Sequence, residues 1–68
     1  MPKSYAEIDV VIRAVTQSAM LAFDGDVEGW VAFSLLDEDG SELGRKSNVG
    51  DTGTIVLPQW KAEAIGFV

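Results

Sequence analysis

Ile8-Asp9-Val10-Val11-Ile12-Arg13-Ala14-Val15 is the stretch that decides the fold. Five of these eight residues are β-branched, and no clean 3.6-residue period runs through them. Branching at Cβ stiffens χ1 and suits the pleated surface of a strand. Alternation predicts Ile8, Val10, Ile12 and Ala14 on one face, with Asp9 and Arg13 on the other. The competing reading is one helix from Ala6 to Phe23, which the alanine, glutamine and methionine of that span permit. The β-branched run weighs against it.

Outward from this strand the punctuation is regular. Thr16-Gln17-Ser18 is a polar turn. Ala19 to Phe23 predicts a second strand, with Ala19, Leu21 and Phe23 on one side. Asp24-Gly25-Asp26 between two apolar runs is a strong turn signal. Val27 to Leu36 predicts a third strand, with Val27, Val31, Phe33 and Leu35 on one face and Glu28, Trp30, Ala32 and Ser34 on the other. Asp37 to Ser41 reads as a turn, and Glu42 to Asp51 as an extended segment or ordered loop. Thr52 to Leu57 is β-branched and apolar, hence a fourth strand. Pro58 then opens a short helix to Ile65, where a missing N–H costs nothing, and Gly66 ends it. Trp60, Ala64 and Ile65 form its expected apolar stripe, which makes Trp60 a core residue. Phe67 is expected to fold back onto the last turn. The sum is an α+β domain spanning residues 1–68: a three-stranded antiparallel meander, a fourth strand and a short C-terminal helix.

Composition excludes several functions. The chain has 68 residues, no cysteine and no histidine. It therefore has no disulfide, no thiol nucleophile, no imidazole base and none of the commonest metal ligand. With no convincing carboxylate pair either, no catalytic residue is assigned and the chain reads as a non-enzyme. Asp51-Thr52-Gly53 matches the triplet of aspartic proteases, but 68 residues cannot build a peptide cleft with flaps. It reads as a turn into the fourth strand. Asp37, Asp39 and Ser41 alternate oxygen side chains like the start of a calcium loop. The glycine falls at the wrong position and the twelfth residue is Asn48, so a plain turn is favoured. No metal and no cofactor is expected. Met1 to Tyr5 lacks the apolar core of a signal peptide. The longest apolar run, Ala19 to Phe23, is far short of the roughly 20 residues that span a bilayer. A cytoplasmic protein without membrane contact is expected.

Charge distribution is the strongest functional signal. Acids outnumber bases 11 to 5, for a net charge of −6. Seven acids, Asp24, Asp26, Glu28, Asp37, Glu38, Asp39 and Glu42, fall in a stretch with no base. The bases lie outside it, at Lys3, Arg13, Arg45, Lys46 and Lys61. Such a surface avoids nucleic-acid phosphates and approaches basic proteins. The seven acids repel one another and are expected to contribute nothing to the fold. A third strand running to Leu36 would carry acids at both ends. Alternate side chains about 6.6–6.8 Å apart would then sit near every second phosphate of a DNA strand, spaced about 3.4 Å. Trp30 is either covered by the helix or an exposed anchor, a role tryptophan often takes at interfaces. The acids and Trp30 are the expected partner-binding residues.

The order of signals resembles a class of small bacteriophage-associated β-rich proteins. These run a meander into a Trp-Val/Ile-Pro-Lys/Arg-Ser segment, then an acidic turn, then a tryptophan helix ending in Gly-Leu. Trp30-Val31-Ala32-Phe33-Ser34, Leu35 to Gly40, and Trp60 to Phe67 stand at these places. Ala32-Phe33 replaces Pro-Lys/Arg, so any contact made by that basic residue is absent. In size and charge the chain also resembles acidic anti-CRISPR inhibitors, some of which mimic DNA. The resemblance implies a phage inhibitor in a bacterial cytoplasm. It would occlude the DNA-binding site of a basic nucleic-acid-binding complex without touching nucleic acid itself. The alternative is a structural or assembly β module that forms a homo-oligomer, and a homodimer is compatible with either.

Overall fold

The β-branched run forms the longest strand of the molecule. The computed structural model describes residues 4–68; Lys3 lies outside them. Strand β1 (Tyr5–Val15) is the spine. It pairs antiparallel with β2 (Ala19–Phe23) through its second half and with β4 (Thr52–Pro58) through its first. Strand β3 (Glu28–Ala32) pairs antiparallel with β2, so the sheet order is β3-β2-β1-β4. Helix α1 (Gln59–Ile65) follows β4 directly. This is the expected small α+β fold, and no continuous helix spans residues 6–23.

One sheet face holds the core. Val10, Ile12, Met20, Ala22, Val31, Ile55 and Leu57 are all buried there, with Ala62 of α1 covering them. Cross-strand partners place Ile8 beside Ile55, Ile12 beside Ala22 and Met20 beside Val31. Each fully buried valine, leucine, isoleucine or methionine among them contributes about 1.5–3 kcal/mol relative to exposure. Glycine is required at position 29, on this face. A Cβ there would stand 2.5–3.1 Å from the side-chain carbons of Ile65, so the helix end packs directly onto β3 backbone. Gly66 closes α1 in the left-handed region at φ 103°. The N–H groups of Gly66 and Phe67 both donate to the carbonyl of Ala62, and Phe67 packs against the core, as the sequence led us to expect.

Three expectations are corrected. First, the register of β1 shifts between Ile12 and Ala14. This bulge inserts Arg13 as an extra residue, so Val15 packs on the core and Ala14, paired with Leu21, turns to the outer face. Second, β3 stops at Ala32. Phe33–Leu35 wind into a 3₁₀ turn, which brings Phe33 and Leu36 into the core instead of Phe33 and Leu35. A five-residue strand does not carry acids at the two ends of a ten-residue span, so the phosphate-spacing argument falls. Third, Trp60 is 61% exposed. Ala62 and Ile65 face the sheet, and at 3.6 residues per turn a side chain two positions from Ala62 points away from it.

Candidate functional site

A sheet with one helix covers one face and leaves the other open. The outer face carries Glu7, Asp9 and Val11 from β1, Leu21 and Phe23 from β2, Glu28, Trp30 and Ala32 from β3, and Thr52, Thr54 and Val56 from β4; Val56, beside Glu7, is buried where the loop at Gly40 approaches it. The centre of the face is apolar: Val11, Leu21 and Phe23 are half-buried. Trp30 stands beside Leu21 and is 47% exposed, so the helix does not cover it. Glu7, Asp9 and Glu28 are exposed around this centre. Arg13 belongs to the same face, where its guanidinium lies 4.3 Å from the Phe23 ring centre, a cation–π contact.

The seven acids of the base-free stretch separate into two kinds. Asp24, Asp37 and Glu42 hold the fold. Asp26 and Val27 N–H each donate to Asp24 Oδ1 at 2.8 Å. These two bonds, Val27 first, hold the Asp24 carboxyl below its ordinary value, because hydrogen bonds to a carboxylate favour its charged form. Asp39 N–H donates to Asp37 Oδ1 at 3.2 Å, and Thr54 N–H donates to Glu42 Oε1 at 2.7 Å. The expectation that these acids contribute nothing to the fold therefore fails for three of them. Asp26, Glu28, Glu38 and Asp39 are exposed and take no side-chain bond of this sort among the described residues.

The two acidic groups meet at one place. A hollow of about 470 Å³ at the end of the outer face is lined by Asp9, Asp24 and Glu42 together with Val11 and Phe23. Asp24 comes from the β2–β3 turn and Glu42 from the loop beside β4. Among the described residues no group of three or more acids could hold a metal ion. Glu38 lies elsewhere, in a hollow shared with Arg45 and Lys46, where the bases offset its charge. Asp37 and Asp39 flank it on the same loop. The acidic surface facing away from the helix is thus made by Asp9, Asp24, Asp26, Glu28 and Glu42 more than by Asp37, Glu38 and Asp39.

Sequence reasoning missed Glu7 and Asp9. Their period-two spacing with Val11 was the available signal, and the neighbouring lysine and arginine of the N-terminal region obscured it. It also missed Asp51 as a fold residue: Asn48 N–H donates to Asp51 Oδ2 at 2.8 Å and closes a turn at residues 48–51, from which Thr52 and Gly53 enter β4.

The two outer strands end the sheet differently. The loop after the 3₁₀ turn runs along β4. Asp37 N–H donates to the Val56 carbonyl at 2.9 Å and Glu42 N–H to the Thr54 carbonyl at 2.8 Å. Ser41 Oγ accepts from Val56 N–H at 2.8 Å. With Glu42 Oε1 on Thr54 N–H, the outward amides and carbonyls of Thr54 and Val56 in β4 are occupied. On β3, Phe33 N–H donates to Ser18 and Val27 carbonyl accepts from Asp24, so the odd-numbered residues face β2. Alternation turns the N–H and C=O of Glu28, Trp30 and Ala32 outward, and no described residue pairs with them.

Compared with known proteins, the chain matches no family model, no curated protein and no solved structure. No helix among the described residues is long and apolar enough to cross a membrane.

Proposed function

We propose that the chain is a non-enzymatic interaction module whose outer sheet face docks on a basic surface of a nucleic-acid-handling partner and occludes its DNA-binding site. One observation carries this reading: exposed Trp30 and Glu28 share the outer sheet face with exposed Glu7 and Asp9 of β1, and α1 lies on the opposite face. Charged rims steer association, while a desolvated aromatic anchor holds the complex. The positively charged channel of a CRISPR-type complex is a partner surface of the right sign. The resemblance to small phage proteins supports the same class. A phage inhibitor acting in a bacterial cytoplasm is its most specific form.

The test is affinity capture from bacterial lysate at about 50 mM and about 300 mM salt, which bracket weak and strong screening of exposed charges. Wild type is compared with the triple variant Glu7→Gln, Asp9→Asn, Glu28→Gln. Wild type is expected to retain a basic nucleic-acid-binding protein at low salt, to lose it at high salt, and to compete with DNA for it. The variant is expected to fold and to retain none. Equal capture by both proteins, or capture that DNA does not compete, overturns the reading.

A further inference from the structure

We propose that β3 is an acceptor strand: an extended, basic segment of the partner adds to its free edge as a fifth, antiparallel strand. This rests on the reading that the partner surface is basic, and it specifies how that surface is held.

The backbone argument comes first. Over five residues β3 directs three N–H donors and three carbonyl acceptors, at Glu28, Trp30 and Ala32, away from the sheet. Folded proteins usually block such an edge with a lysine, a proline, a bulge or a covering loop. Here β3 contains none of the first three, and the covering loop lies on β4 instead. Strand addition uses the backbone for affinity and alternate side-chain positions for specificity.

Side-chain register then defines the occupant. In an antiparallel pair, residues of the added strand opposite Ala32, Trp30 and Glu28 share the outer face with them. Opposite Glu28 a lysine or arginine gains an opposite-charge pair. Opposite Trp30 an arginine stacks on the exposed indole. Opposite Ala32 an apolar residue fits. The alternate positions face the side where Ile65 crosses Gly29, so small side chains suit them. The occupant is thus a segment of the form apolar-small-Arg-small-Lys. Charge selects it over a second copy of this chain: a second copy brings its own −6 to an edge flanked by Asp24, Asp26 and Glu28.

The probe is the capped peptide Thr-Leu-Thr-Arg-Thr-Lys-Thr, followed by amide chemical shifts and amide exchange of the full chain. The expected result is a saturable shift at Glu28, Trp30 and Ala32 with slowed exchange of those three amides. N-methylation of the peptide arginine, whose N–H faces β3, should weaken binding by at least about tenfold, or 1.4 kcal/mol. N-methylation of the threonine before it should not. On the protein, Ala32→Pro removes one outward donor. Ala32 already sits at φ −66° and ψ 136°, which proline adopts without strain, so the variant is expected to melt with wild type and to lose the peptide. Equal binding of both N-methyl peptides, or no binding to wild type while lysate capture persists, overturns strand addition and leaves the acidic-face reading standing. Loss of lysate capture in the triple variant but not in Ala32→Pro does the same. Concentration-dependent dimerisation that Ala32→Pro abolishes identifies a second copy as the occupant and overturns the proposal.

Discussion

The β4 edge and the β3 edge of one small sheet are treated in opposite ways. β4 is lined by Asp37, Ser41 and Glu42, whose backbone and side-chain groups occupy the outward amides and carbonyls of Thr54 and Val56. β3 presents the same kinds of group to solvent, beside an exposed tryptophan and an exposed glutamate. The contrast teaches that the acidic stretch is not one surface with one purpose. Its C-terminal part closes an edge and shares a hollow with two bases. Its N-terminal part borders an edge that remains open. Loss of a group from the closed edge should therefore reduce stability, and loss of one from the open edge should reduce binding.

The largest effect is expected from opening the closed edge. Ser41→Ala with Glu42→Ala leaves the part-buried Val56 amide without its acceptor, at a cost of about 1–3 kcal/mol, and removes the exposed Thr54–Glu42 bond, worth about 0.5–1.5 kcal/mol net. The double variant should lose roughly 2–4 kcal/mol, read as a lowered urea midpoint. An unchanged midpoint would mean that the loop is not what closes β4. Next is Gly29→Ala, which sharpens the comparison by showing how β3 is held from its core side. A methyl group there meets Ile65, and such overpacking costs about 1–3 kcal/mol, equivalent to a melting temperature lower by several degrees at about 4–8 °C per kcal/mol. A melting temperature equal to that of wild type would place the helix end elsewhere.

Asp24 gives a pH-dependent effect at the turn between the two regions. Its carboxyl titrates below its ordinary value in the folded chain, so its stabilisation is present at neutral pH and is lost as pH falls through the folded value. Asp24→Asn should melt below wild type at pH 7, and the gap should close in melts at pH below the carboxyl's folded-state value. A gap constant with pH would mean that the charge plays no part in the turn. The smallest effect on stability belongs to the two exposed tryptophans. Trp30→Ala and Trp60→Ala should each shift stability by only about 0.5 kcal/mol, as exposed positions usually do. Trp30→Ala alone should abolish capture of the partner. A large loss of stability from Trp60→Ala would restore that residue to the core.

Much of the fold was legible in the sequence because its signals are local. The β-branched run, the Asp24-Gly25-Asp26 turn and the Pro58 and Gly66 brackets each act within a few residues. The corrections come from features that only packing decides. The Arg13 bulge moves Val15 inward, and no composition signal marks it. Phe33 sits in phase with a continuing strand, yet the chain gains more by winding a 3₁₀ turn that buries Leu36 as well. Trp60 is the largest apolar residue of α1, but the helix turns Ala62 and Ile65 toward the sheet, and Trp60, two positions before Ala62, points away. At the site, Trp30 and Glu28 were legible from alternation. That Asp24, Asp37 and Glu42 are bound to backbone amides, and that β3 is the uncovered edge, depend on which strand the acidic loop lies against. Sequence order does not disclose that.

Residue-resolved amide hydrogen exchange on the free protein tests the central claim most directly. A closed β4 edge and an open β3 edge predict slow exchange at Thr54 and Val56 and fast exchange at Glu28, Trp30 and Ala32, although all five lie in strands. Equal protection of the two sets, or protection of Glu28, Trp30 and Ala32 in the free monomer, would contradict the account.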